Sequence, residues 1–224
     1  MKLIIKILLM LIRVGLGLYY FYNSGDHSII GSNNNGYVTK DVYSHYGSNE
    51  SKIAVVTGMH PRENLSKTTV PSVIKFYALT HNLEIVNYQV TVTNNPDAFT
   101  ESRNNGEGLV AQYVIPDIQK SDYKLVIICH DHERGYGDGY YIATPTMDVK
   151  SVALAEMVHP IIPSFNYYKR DTEKKSHSSS IVRVDNPIVK SGTSVFVYEM
   201  PEWNGSIDAF LNSYSLIDSS YKVL

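Results

Sequence analysis

Leu125-Val126-Ile127-Ile128-Cys129 runs without a break into His130-Asp131-His132-Glu133. Five consecutive apolar residues, three of them β-branched, are too short for a helix and read as a strand buried on both faces. Ile53–Thr57 (IAVVT) has the same character and ends at Gly58, with Met59-His60-Pro61-Arg62-Glu63 in the loop beyond. Ser194–Tyr198 (SVFVY) ends at Glu199, and Tyr140–Ala143 reads as another strand. Val86–Thr93 alternates and stops at Asn94-Asn95-Pro96-Asp97, a strong turn signal. Asn64–His81, Val149–Val158 and Ile207–Ile217 carry helical patterns, and Pro71 must kink or restart the first of them. Two-sided strands alternating with helices predict one α/β domain, a mixed, mostly parallel, twisted sheet with helices on both faces.

The 224 residues are 43% hydrophobic and 19% charged, enough for one packed domain and too apolar for wholesale disorder. Lys and Arg number 20 against 22 Asp and Glu, so no cationic excess exists to neutralise a phosphate backbone, and nucleic acid is not an expected partner. Cys129 is the sole cysteine, which excludes an internal disulfide and a multi-cysteine metal site. Met1–Tyr22 places Lys2 and Lys6 ahead of an apolar run that only Arg13 interrupts. That segment reads as a membrane anchor or secretory signal with the body of the chain exported, and the alternative is a buried first helix. Asn23–Gly36 (NSGDHSIIGSNNNG) reads as a flexible linker, with the domain expected over 37–224. Asn49, Asn64 and Asn204 each open a glycosylation triplet, a pattern that arises often by chance.

His60 and Glu63 lie three apart after a buried strand, where one turn can aim an imidazole and a carboxylate at one point. His130 ends a second buried strand, and ligand-bearing loops of open α/β sheets gather at the carboxyl ends of the strands. Two His and one Glu with an open fourth position is the donor pattern of a catalytic zinc. Glu199 ends SVFVY, where a carboxylate has no packing role, and is the candidate general base. A His-x-x-Glu triplet is common by chance; the combination carries the reading. His132, two residues beyond His130, shares its face and is the rival ligand. Cys129 faces the other way and reads as a buried structural thiol. His27, His159 and His177 have no strand-end setting and read as non-ligands, while Tyr140-Tyr141 and Tyr167-Tyr168 read as packing residues, with a groove lining as the alternative.

At these positions the chain resembles the zinc carboxypeptidase family and its deacylase relatives, the succinylglutamate desuccinylase and aspartoacylase group. Gly58–Glu63 resembles the family's first metal motif, which assigns ligand roles to His60 and Glu63. Asn95-Pro96-Asp97-Ala98-Phe99 resembles the Asn-Pro-Asp-Gly segment, and Arg103 falls where the family places the arginine that polarises the scissile carbonyl. Val126–Asp131 resembles the strand bearing the third ligand, here His130, and Gly139–Ile142 resembles the strand after it. Gly192–Glu199 resembles the strand that ends in the general base. The resemblance spans Ile53 to Glu199 and implies a Zn2+ cofactor and a peptide or N-acyl amino acid substrate. Two departures stand out. Ala111 occupies the place of the arginine that clamps the substrate carboxylate, so either another cation such as Arg62, Arg134 or Arg183 replaces it or the substrate's free carboxylate is not read. The substrate-facing tyrosine has no counterpart. The expectation is an exported or membrane-anchored zinc hydrolase acting on an amide near a chain end; the alternatives are a zinc-dependent deacylase of N-acyl amino acids and a non-catalytic surface-binding domain.

Overall fold

Eight strands form a single sheet in the computed structural model, which describes residues 2–23, 25–44, 52–173 and 178–224. In chain order the elements are α1 (Lys2–Asn23), β1 (Asp26–Asn33), β2 (Gly36–Ser44), β3 (Lys52–Thr57), α2 (Asn64–Thr80), β4 (Glu84–Val92), α3 (Phe99–Leu109), α4 (Ile115–Ile118), β5 (Leu125–His132), β6 (Tyr141–Thr144), α5 (Val149–Val158), β7 (Asn166–Lys169), α6 (Asn186–Lys190), β8 (Ser194–Pro201) and α7 (Ser206–Val223). A π turn, Val110–Val114, joins α3 to α4, and a second, Ile181–Asp185, leads into α6. The strand order is β1-β2-β4-β3-β5-β8-β6-β7. The centre, β4-β3-β5-β8, is parallel, and antiparallel pairs join β1 to β2, β2 to β4 and β6 to β8.

Period-two alternation sends each central strand's side chains into two cores. Ile53, Val55, Leu125, Ile127, Cys129, Phe196 and Tyr198 pack with Val73, Ile74 and Tyr77 of α2, Leu154 and Val158 of α5, and Leu216 and Ile217 of α7. Ala54, Val56, Val126, Ile128 and Val195 pack on the opposite face with Leu109 of α3, Ile115 and Ile118 of α4, and Ile188 of α6. Each such fully buried aliphatic side chain contributes about 1.5–3 kcal/mol. Cys129 is therefore the buried thiol expected, on the face away from His130, and loss of water pushes its pKa up. α2 continues as one helix across Pro71. Its first turn is held from the neighbouring strand: Leu65 N–H and Ser66 N–H donate to Asp131 at 2.6 and 2.8 Å, putting a carboxylate at the positive end of the helix.

Two N-terminal expectations are corrected. The segment read as a linker, Asn23–Gly36, contains β1 and the turn into β2, an edge hairpin. Its strand is exposed along most of its length, so no apolar period marked it. The turn is Asn34-Asn35, and Gly36, at φ 149°, opens β2 opposite Asn33, where a Cβ would meet the Thr91 carbonyl at 2.0 Å. The anchor reading of Met1–Tyr22 is not carried either: among the described residues no helix is long and apolar enough to cross a membrane. Lys6 and Arg13 interrupt the apolar run of α1, whose side chains from Leu3 to Leu18 are exposed rather than packed as a first core helix would be. His177 and the Asn49 triplet lie outside the described residues.

Candidate metal centre

The carboxyl ends of β3 and β5 lie side by side, and the loop after β3 turns back at once, with Glu63 N–H donating to the His60 carbonyl at 3.1 Å. This turn brings Glu63 between two imidazoles: its Oε1 is 2.8 Å from His60 Nδ1, and its Oε2 is 2.6 Å from His130 Nδ1. The donor atoms of His60, Glu63 and His130 lie within 4.8 Å of one another. Both rings are buried, and two imidazole nitrogens with one carboxylate match the donor set of a borderline divalent cation. The three could hold a metal ion, at the positions read from the sequence.

The rival ligand is placed elsewhere. His132 Nε2 is 2.9 Å from the Gly139 carbonyl, and its ring packs against Tyr141 and Trp203 at 5.3 and 5.4 Å between centroids. His27 pairs with Asp41, and His159 Nε2 bonds the Phe165 carbonyl at 2.9 Å, so neither approaches the cluster.

Glu199 stands directly opposite His130 in the parallel β5/β8 register and opposite Tyr141 in the antiparallel β6/β8 register. Residues paired in this way share a sheet face, so His130, Glu199 and Tyr141 all project toward the centre. Burial pushes the Glu199 carboxyl up to about 7, with the His130 charge opposing and the Glu63 charge adding. Burial would raise Glu63 too, but the His130 and His60 contacts outweigh it and hold that carboxyl well below the usual range. Burial alone would lower His130, yet the Glu63 and Glu199 carboxylates push it up to about 9. A cation that takes His130 Nδ1 must therefore displace a proton. Metal uptake is expected to release one proton per ion between His130's ordinary value and about pH 9, with affinity rising about tenfold per pH unit across that window. Calorimetry in two buffers of different ionisation heat measures this, and uptake without proton release would contradict the ligand role of His130.

Arg103, on α3, donates to Glu63 Oε1 at 3.2 Å, which places its guanidinium at the edge of the centre. The ring of Phe99 lies under both Arg103 and Arg62, 5.4 and 5.5 Å from centroid to guanidinium. Ala111, on the π turn, presents no cation. Of the three substitutes, Arg183 contacts Glu107 at 3.3 Å, Arg134 stacks on Trp203 at 4.4 Å, and Arg62 stands beside the metal donors.

Sequence reasoning missed two carboxylates behind the histidines. Glu107 is fully buried, 3.6 Å from the buried His60 Nε2, too long for a hydrogen bond but facing the side of the ring turned away from Glu63, and it accepts from Ser179 at 2.7 Å. Asp185 is buried on the π turn before α6, where burial pushes its carboxyl up to about 7, the His130 charge opposing and Glu107 adding. Both lie in segments with no strand-end or motif signal. Tyr136 was also missed. It lies exposed in a glycine-rich loop, Gly135 to Gly139, within reach of the charges of Glu199, Arg103 and Glu63.

The chain matches no protein-family model and no curated protein. Among solved structures it is similar to a metallo-carboxypeptidase from Burkholderia cenocepacia, at 13% identity and TM-score 0.61, over 93% of this chain and 66% of that one. It is similar to a metallo-carboxypeptidase from Pseudomonas aeruginosa in complex with (2-guanidinoethylmercapto)succinic acid, at 10% identity and TM-score 0.64, over 95% and 68%. It is also similar to tripeptide-bound Cell Shape Determinant Csd4 from Helicobacter pylori, at 12% identity and TM-score 0.53, over 89% and 55%. The fold is thus zinc carboxypeptidase-like, as the sequence resemblance implied. This chain spans just under two thirds of the Burkholderia enzyme and about half of Csd4.

Proposed function

We propose that the chain is a zinc-dependent hydrolase that cleaves a peptide or amide bond near a chain end. The observation that carries this reading is the convergence of His60, Glu63 and His130 beside Glu199, which faces His130 in register at the carboxyl edge of the sheet. Zinc, when bound, supplies Lewis acidity toward the scissile carbonyl and toward water. Glu199 takes the proton of the attacking water and delivers it to the leaving amine, and burial keeps its carboxyl above the ordinary carboxylate range before the metal binds. Arg103 faces the carbonyl oxygen and stabilises the charge that develops there, an interaction worth about 3 kcal/mol in comparable sites. Glu107 holds the His60 ring in place through its electrostatic contact.

The test is a substrate panel for the full chain, purified without chelator and supplied with zinc. Release of a terminal residue from short peptides, stopped by chelation and restored by zinc, is the expected result. Cleavage confined to N-acyl amino acids would reassign the chain as a deacylase, and no hydrolysis with zinc bound would favour a binding domain. Location outside the cytoplasm belongs to the same proposal, supported by Lys2 and Lys6 ahead of the exposed apolar run of α1. Recovery of the chain in the cytoplasmic fraction, with none in the medium or the envelope fractions, would refute it.

A further inference from the structure

We propose that Asp131 is a positioning residue for the metal centre: by capping α2 from the neighbouring strand, it releases the Glu63 carboxylate for the two histidines. The inference rests on the metal-centre reading and adds to it a residue outside the donor cluster.

Glu63 occupies the N-cap position of α2, the residue before Asn64, yet its side chain makes no capping bond. Both of its oxygens are turned the other way, Oε1 to His60 Nδ1 at 2.8 Å and Oε2 to His130 Nδ1 at 2.6 Å. The N–H groups that an N-cap side chain ordinarily receives are those of the second and third helical residues, here Leu65 and Ser66. Asp131 takes both, Oδ2 from Leu65 at 2.6 Å and Oδ1 from Ser66 at 2.8 Å. Asp131 and Ser66 are buried, so loss of that carboxylate leaves the Ser66 N–H without a partner and without water, a costly state for a backbone donor. The carboxylate nearest along the chain is then Glu63 itself, at the position from which a side chain caps a helix.

Strand alternation lets one strand end serve both partners. His130 and Asp131 are consecutive on β5 and project to opposite faces. His130 meets Glu63, while Asp131 shares the face of Cys129, which packs in the same core as α2. The carboxylate therefore ties the start of α2 to the strand that carries His130. The ligand loop is tied to α2 in turn, because Lys67, in the helix's first turn, donates to the Pro61 carbonyl at 3.0 Å, between His60 and Glu63. The three donors thus come from two elements, and Asp131 joins those elements without using a donor atom.

The experiment titrates zinc, and separately cobalt, whose visible bands report its ligands, into the full chain and its Asp131→Ala, Asp131→Asn and Glu63→Ala variants. Asp131→Ala is expected to weaken zinc binding by about 10–100-fold, and Asp131→Asn, which keeps one acceptor oxygen, by less. At saturating cobalt, Asp131→Ala should show the spectrum of Glu63→Ala rather than that of the unaltered chain, because the carboxylate that leaves the metal is Glu63. A residue that only capped α2 would lower the melting temperature and leave affinity and spectrum alone; that result overturns the proposal and leaves the metal centre standing. Weaker binding with an unaltered cobalt spectrum also overturns it, since Asp131 would then act on the centre by a route other than Glu63. Should Asp131→Ala fail to fold, Asp131→Asn decides by the same two readouts. No metal bound by the unaltered chain overturns both the proposal and the metal centre on which it rests.

Discussion

Glu199→Gln is expected to lower amide hydrolysis by roughly 10²–10⁴ while the chain still binds one metal ion. The two outcomes separate because Glu199 lies outside the donor cluster of His60, Glu63 and His130. Glutamine keeps the shape of the side chain at a buried position and removes the group that exchanges a proton with water. Stability should hold or rise slightly, since a buried carboxyl raised by desolvation is costly to ionise in the folded chain. The wild-type rate should fall as the pH drops through the Glu199 pKa, because only the carboxylate accepts a proton. That value is about 7 without metal and lower once a cation sits beside it. The variant should lack this acid limb. Turnover and bound metal, measured on the same preparations, decide the matter: turnover within a few-fold of wild type removes Glu199 as base, and loss of metal makes it a structural residue instead.

What could be read in the sequence was what burial writes into composition. LVIIC, IAVVT and SVFVY are apolar on both faces because helices cover both faces, and their ends marked His130, His60 and Glu199. Alternation also assigned Cys129 to the wrong side for a Cys-His pair, and the structure puts it there. The choice between His130 and His132 could not be made the same way, since both share one face; the turn that follows His132 diverts its ring to the Gly139 carbonyl. β1 was invisible because an exposed edge strand has no apolar period to show. Glu107 and Asp185 were invisible for a different reason. Each belongs to a helical segment on one side of the sheet yet acts on a histidine carried by a strand or its loop, and such cross-element contacts leave no local pattern.

The helix that carries Glu107 and Arg103 also sets how closely the site is built, and two glycines in it make opposite predictions. A Cβ at Gly106 would stand 1.7 Å from the Met59 carbonyl oxygen, where contacts below 3.0 Å essentially never occur. Met59 is fully buried and directly precedes His60, so its peptide cannot move outward without carrying the ligand with it. Gly106→Ala must therefore push α3 and the β3–α2 loop apart by more than an ångström. Glu107 and Arg103, on the same helix, are displaced from His60 and Glu63 by that movement. A loss of about 3 kcal/mol of stability is expected, together with at least a tenfold loss of metal affinity. Gly108, two residues along, faces only the Arg183 side chain at 3.5 Å. Gly108→Ala replaces a helical glycine without a clash and should gain about 0.5–1 kcal/mol with metal affinity unchanged. Denaturation midpoints and zinc titrations of the two variants side by side test the claim, because helix propensity favours both substitutions equally and only the approach to Met59 distinguishes them. If Gly106→Ala is as stable as Gly108→Ala, α3 is not packed against the ligand loop, and Glu107 loses its role behind His60.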